Sequence, residues 1–204
     1  MEIKDRILHS AMALFMRNGI KSVSMDDIAA HLAMSKKTLY KWFENKDQIV
    51  LGVMQHHLTQ EEGECCQMAE SAENALDELF KMMEWGQQMM ADIHPSIFYD
   101  LQKYYPQAWQ LWLAHKEKFI LHRIIDNLRR GMAEGLYRAS LNVEVLARLR
   151  LYQIDLALDP VMFPVRQFNP QQVDFVCLEH FMLGVATLKG HKLINEYRHV
   201  TEEE

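Results

Sequence analysis

Apolar residues recur three and four positions apart through most of this chain, and little along it interrupts them. Five prolines and eight glycines are the only helix breakers in 204 residues, and the Val/Ile/Thr alternation of strands is absent. The pattern excludes a sheet and leaves an all-α fold. Hydrophobic residues make up 49% of the chain, enough to bury a core in one large domain or two small ones. No apolar run approaches the roughly 18 residues that span a bilayer, so no membrane partner is expected. The opening Met1-Glu2-Ile3-Lys4-Asp5 lacks the basic-then-apolar order of a signal peptide. Three cysteines, with Cys65 and Cys66 adjacent, make no disulfide framework, and a reduced, cytoplasmic setting is the expectation.

The first fifty residues read as four helices with explicit start signals. Ile7, Ala11, Leu14 and Phe15 mark the buried stripe of a helix over 3–18, which Asn18-Gly19 ends. Ser24 begins the next, with Asp27 completing a Ser-x-x-Asp capping pair, and Ile28, Ala29 and Leu32 supply its inner face. Ala33-Met34 is a tight connection. Ser35 caps a short third helix from Lys36 to Trp42, and Asn45 and Gln48 cap a fourth that continues toward Glu62. Two short helices around a connection of a few residues make a helix-turn-helix. The third helix is apolar at Leu39, with Phe43 just beyond it, and cationic at Lys36, Lys37 and Lys41. Packed through one face, it would present its cations with the other, as a helix in a DNA major groove does.

The formal charge of −6 has to be divided before it is weighed against that reading. Residues 1–50 carry eight Lys/Arg against six Asp/Glu, and the remainder 14 against 22. Phosphates respond to charge within a Debye length of about 8–10 Å, so an acidic remainder does not exclude a basic reading surface.

Beyond Cys65 the character changes. A methionine-rich helix is expected over 72–92, and a further segment starts at Pro95. A long helix opens at Pro106 and runs to about Leu128, loosened at its end by Gly131 and Gly135. Two more are expected over 143–158 and 171–188, with Pro160, Pro164 and Pro170 bracketing the link between them and residues 201–204 an acidic tail. No internal repeat or low-complexity tract is visible.

The string Ala11-Met12-Ala13-Leu14-Phe15, Gly19, Ser24-Met25-Asp26-Asp27-Ile28-Ala29 and Ser35-Lys36-Lys37-Thr38-Leu39-Tyr40-Lys41-Trp42-Phe43, then Lys46, resembles the tetracycline-repressor (TetR) family. The Leu-Tyr-x-aromatic-Phe-x-x-Lys ending is the specific part. The resemblance covers about the first quarter of the chain; the rest shares only length and helical order. One position departs: Ala33 stands where the family usually has glycine in the turn. Alanine fits if the backbone there is right-handed, and costs about 1–2 kcal/mol if it is left-handed. The resemblance implies a homodimer on near-palindromic operator DNA and an all-helical C-terminal domain that binds a small-molecule effector and releases the DNA. It divides the chain into a DNA-binding domain, residues 1–46, and a ligand-sensing and dimerisation domain, residues 47–204.

The expected DNA-binding set is Ser24, Ser35, Lys36, Lys37, Thr38, Tyr40, Lys41 and Lys46. The resemblance places the Tyr40 hydroxyl on a phosphate. Lys46 and Ser24 stand at helix starts that suit phosphates too. Lys36 and Lys37 could donate to guanine edges, and Thr38 could meet a thymine methyl. Each could also be a cap or a solvated charge. Met82, Trp85, Met89, Phe98, Tyr105, Trp109, Trp112, Phe119 and His122 are candidates for lining a cavity that suits a flat or bulky apolar ligand, with Met83, Met90, Tyr104 and the possible anchor Arg123 nearby. Such stripes also build ordinary cores. Leu146, Leu149, Val173, Val176, Cys177, His180, Phe181 and Gly184 are the candidate dimer contacts, in an isologous four-helix arrangement. His56, His57, Glu61, Glu62, Cys65 and Cys66 are metal-binding residue types, but in no zinc spacing, so no metal and no cofactor are expected. No paired Glu-x-x-His helices, nucleophile constellation or phosphate loop suggests an enzyme. The alternative to a ligand-released repressor is a ligand-independent DNA-binding protein with the same head.

Overall fold

The computed structural model describes residues 2–91, 93–157, 159, 161–164 and 166–199, apart from the side chains of Met90 and Ala91. The expectations for Asp92, Leu158, Pro160, the Met90 side chain and residues 201–204 lie outside that description. Eleven α-helices are present among the described residues: α1 Ile3–Asn18, α2 Met25–His31, α3 Lys36–Tyr40, α4 Lys46–Ser71, α5 Ala75–Ala91, α6 Ile97–Tyr104, α7 Pro106–His115, α8 Leu121–Ala133, α9 Val143–Ala157, α10 Pro170–Val185 and α11 Leu188–Arg198. A π-type segment, Lys116–Ile120, lies in the chain between α7 and α8. None of the described residues forms a strand.

Several boundaries differ from the sequence pattern. Helix α4 runs nine residues past Glu62, to Ser71, because Glu62 and Gly63 carry no stop signal the helix must obey. Regular helix in α3 stops at Tyr40, and Lys41-Trp42 close it as a turn whose Trp42 and Phe43 amides both donate to the Leu39 carbonyl. The long helix expected from Pro106 is interrupted by the π-type segment. Helix α10 ends at Val185, and α11 follows as a separate helix capped by Thr187, whose hydroxyl accepts from the Gly190 amide at 3.1 Å. Gly131 does not loosen α8: it is buried within the helix, and an added Cβ would meet the Tyr137 ring at 2.1 Å. The glycine lets that aromatic ring lie on the backbone.

The described residues form two compact units. The first holds residues up to 63 together with 93–115; the second holds 64–91 and 116–199. The core of the first is built from Ile7, Ala11 and Phe15 of α1, Ile28 and Ala29 of α2, Leu39, Phe43, Ile49 and Val50, with Ile97, Leu101 and Ala108 added from α6 and α7. The core of the second gathers Leu76 and Phe80 of α5, Leu128 of α8, Leu151 of α9, Met182 of α10 and Ile194 of α11 around Tyr137.

Candidate nucleic-acid interface and effector sites

Local chemistry places the reading helix. The Ser24 amide and hydroxyl both donate to Asp27 Oδ2, and the Asp27 amide donates back to Ser24 Oγ at 3.2 Å. Those bonds hold the Asp27 carboxyl below its ordinary range, so it remains an anion at the start of α2, where the helix dipole favours one. The end of α2 is a Schellman turn: the Met34 amide reaches the Ala29 carbonyl and the Ala33 amide the Ala30 carbonyl, both at 3.0 Å. Such a turn needs a left-handed residue, and Ala33 has φ 51°. The alanine therefore sits in the conformation its side chain disfavours. Ser35 then caps α3 through the Thr38 amide at 3.1 Å, and Asn45 caps α4 through the Gln48 amide at 3.0 Å.

The faces of α3 separate as their residue types demand. Leu39 and Phe43 are buried, whereas Lys37 and Lys41 are exposed and Tyr40 is 49% exposed. Trp42, not among the expected contacts, is also exposed on this head. Besides the capping Ser24 and Ser35, three more of the expected contacts are already engaged within the protein. Lys36 pairs with Asp26 of α2 at 2.5 Å, which raises its pKa above the ordinary ammonium value. Thr38 Oγ1 shares a hydrogen bond with Ser35 Oγ at 2.8 Å. The Lys46 ammonium donates to the Lys21 carbonyl at 3.3 Å and lies 6.0 and 5.7 Å from the centres of the Phe15 and Tyr105 rings. Burial lowers its pKa, against the attraction of Asp100, Asp47 and Asp27. In this conformation Lys46 points into its own unit.

The rest of the first unit is fastened to α1. The His94 amide donates to the Met16 carbonyl at 2.8 Å, and the Lys21 amide to the buried carboxylate of Asp100 on α6 at 3.0 Å. Asp100 also accepts from Ser96 Oγ at 3.1 Å, and Lys21 Nζ donates to Tyr104 at 3.0 Å. Gly19, at φ 78°, permits this approach, since a Cβ there would stand 2.5 Å from Ser96 Oγ. Beside these contacts is an apolar cavity of about 70 Å³, with walls from α1, α4, α6 and α7. Of the candidate effector residues, Phe98 and Trp112 line it, edge-on to each other at 5.8 Å. Tyr105 and Trp109 pack at the head's own core, and burial beside Asp47 and Asp100 pushes the Tyr105 phenol up to about 12.

The remaining candidates lie in the second unit. Met82, Met89 and Phe119 are half-buried, Trp85 donates to Glu64 at 2.6 Å, and His122 is exposed. That unit also holds a polar cleft of about 350 Å³, which no sequence pattern announced. At its base the Glu78 side chain, 2% exposed, pairs with Arg123 at 2.8 Å and Arg130 at 3.5 Å. Arg123, considered as a ligand anchor, is thus already committed to an internal carboxylate. Arg130 also donates to the Ala69 and Ala72 carbonyls and to Glu134.

His57 and Glu61 do share a face of α4, at 3.9 Å, but as a side-chain contact that extends to the buried His115 of α7. His115 faces Glu61 at 3.6 Å and Glu62 at 3.2 Å; burial alone would lower its pKa, yet the two carboxylates raise it above the ordinary imidazole value. Among the described residues no group of three or more His, Cys, Asp or Glu is arranged to hold a metal ion.

On α9 and α10 the candidate dimer contacts divide. Val173 and Phe181 are buried and Leu146 packs on the core. Cys177 is half-buried, and burial raises its thiol pKa. Leu149, Val176, His180 and Gly184 are exposed. Val145 and Tyr152, not singled out by the pattern, are 60% and 65% exposed and share the outer face with Leu149. Helical periodicity showed the stripes but not which way each faced.

Fold and reading face together define a helix-turn-helix DNA-binding regulator. Residues 7–53 match the model of the bacterial regulatory proteins of the tetR family. The chain is 25% identical over 198 residues, 93% of each protein, to the HTH-type transcriptional repressor KstR2 of Mycolicibacterium smegmatis. It is 30% identical over 105 residues, 51% of this chain and 55% of its relative, to the HTH-type transcriptional regulator YvaF of Bacillus subtilis. A TetR-family regulator from Agrobacterium tumefaciens has the same fold, with a TM-score of 0.73 at 15% identity over 90% of this chain and 97% of that one. Residues 7–53 thus carry the tetR-family pattern, and the chain as a whole is similar to transcriptional regulators of that family. No helix among the described residues is long and apolar enough to cross a membrane.

Proposed function

We propose that the protein is a cytoplasmic, homodimeric repressor that holds near-palindromic operator DNA through residues 1–46 and is released when residues 47–204 take up a small apolar effector. The observation that carries the DNA-binding part is α3: two turns of chain with Leu39 and Phe43 buried beneath it and Lys37, Tyr40 and Lys41 exposed. Lys37, and Lys36 once freed from Asp26, meet base edges; Tyr40, Lys41 and the starts of α2 and α3 at Ser24 and Ser35 meet phosphates. Lys46 joins them if it turns out of its pocket. The outer face of α9 and α10 supports pairing, because Val145, Leu149, Tyr152 and Val176 are apolar and exposed. A two-fold pair would set two recognition helices about 34 Å or a multiple apart.

Effector binding would act by favouring one arrangement of α4, which runs on from the DNA-binding segment, with a coupling typically about 1–3 kcal/mol. Selecting bound fragments from genomic DNA and footprinting them tests the reading. Two half-sites related by a dyad are expected; failure to enrich any sequence would overturn it. A ligand-independent regulator is the second reading. The volume of the apolar cavity, about 70 Å³, favours it, because drug-sized ligands occupy roughly 300–1,000 Å³.

A further inference from the structure

A second cationic surface lies on the first unit, outside the helix-turn-helix. Lys21, in the connection between α1 and α2, donates to the Tyr104 hydroxyl of α6 at 3.0 Å, and Lys103 donates to the Tyr99 hydroxyl at 2.6 Å. The two phenol rings stand edge to face with centres 6.4 Å apart, and Lys103 Nζ lies 5.0 and 5.4 Å from those centres. Tyr99 and Tyr104 are 51% and 36% exposed, and both lysines are exposed. We propose that Lys21, Lys103, Tyr99 and Tyr104 form a second phosphate-binding surface, which carries each head's grip on duplex DNA beyond the base pairs that α3 reads. The proposal rests on the reading of α3 as the recognition helix and extends the contact to a helix outside that motif.

The four side chains present hydrogen-bond donors. Each ammonium spends one proton on a phenol oxygen and keeps two, and each phenol that accepts there still has its own O–H to donate. Among the described residues neither lysine forms an ion pair with a carboxylate, whereas Lys36 is taken by Asp26. Asp100, the acidic residue of α6, is buried and accepts from the Lys21 amide and Ser96. The bonds to the phenols raise both lysine pKa values, so both side chains stay cations. The bond from Lys21 holds the Tyr104 phenol below its ordinary range, which makes its O–H a stronger donor. Such a surface calls for a polyanion, and its position says which one. Lys21 stands just before Ser24 at the start of α2, and its carbonyl accepts from Lys46 at the start of α4. The Asp100 bond fastens α6 to the same connection, so a DNA strand passing those two helix starts continues onto Lys103 and the tyrosines.

The test compares the full-length protein with its Lys21→Gln/Lys103→Gln variant, each titrated with duplex DNA over a range of salt. Losing two phosphate contacts should reduce the slope of log affinity against log salt by about 2 per head. Affinity for the selected operator and for random duplex should fall alike, about tenfold or more at low salt. Hydroxyl-radical footprints should lose protection at phosphates outside the base pairs that α3 reads and keep it within them. Lys21→Arg with Lys103→Arg should restore slope, affinity and footprint, because the charges return. Tyr99→Phe with Tyr104→Phe keeps the charges and removes two O–H donors, so it should weaken binding about three- to tenfold with the slope unchanged; it also serves as the check if the glutamine variant does not fold. An unchanged slope and footprint in the glutamine variant would overturn the surface, and so would a loss confined to the operator, which would mark base reading instead. Wild-type protein that enriches no sequence would sink the reading of α3, while the salt slope on random duplex still decides the second surface.

Discussion

The reading face of α3 and the outer face of α9 and α10 are built on opposite plans. On α3 the apolar side chains turn inward and the lysines outward. On α9 and α10 Val145, Leu149, Tyr152 and Val176 turn outward, while Arg150 is buried and held to Asp174 at 3.1 Å. A cationic face loses little by meeting water and gains from a polyanion through counterion release. An apolar face gains only when another surface covers it. The contrast is what the two proposed roles require: a cationic face open to nucleic acid, and an apolar face that a second copy of the chain would cover.

The strongest way to break the contrast is to charge the apolar face. Leu149→Arg with Tyr152→Arg should give a monomer in sedimentation and, with two-headed binding lost, reduce operator affinity about 100-fold or more. A dimer of unchanged stability would remove that face as the interface. On the cationic face, Lys37→Ala should cost about 1–3 kcal/mol of operator binding and relax base preference at one position in each half-site, read by titration against single-base variants. Ala33→Gly sharpens the comparison by relaxing the turn that presents this face; relief of the left-handed alanine should raise stability in urea by about 1 kcal/mol. Unchanged stability would mean that the Schellman turn carries no strain. Tyr40→Phe should weaken binding by about 0.5–1.5 kcal/mol, alike across sequences, because a phosphate contact carries no base information.

The smallest effect is expected away from both faces, at His115. Its pKa is raised in the fold, so its pairing with Glu61 and Glu62 contributes fully below the ordinary imidazole value of 6.5 and is lost as pH rises through the folded value. Melting temperature should therefore decline modestly as pH climbs above 6.5, and His115→Gln should flatten that slope. An unchanged slope would assign the pH dependence elsewhere.

The head was legible because its signals are local. Ser24 with Asp27, Ser35 with Thr38, and Asn45 with Gln48 satisfy orphan helix amides within three residues, so the order of residues alone dictated where α2, α3 and α4 begin. Residue spacing likewise separated Leu39 and Phe43 from the lysines around them. Only the tertiary structure decided the rest, since those outcomes depend on partners far along the chain. Ala33 became left-handed because the turn needs it; Lys46 turned to the rings of Phe15 and Tyr105; and Arg123 was taken by Glu78, 45 positions away. The aromatic and methionine stripes were visible too, but a stripe becomes core, cavity wall or interface only when another helix packs against it or leaves it uncovered.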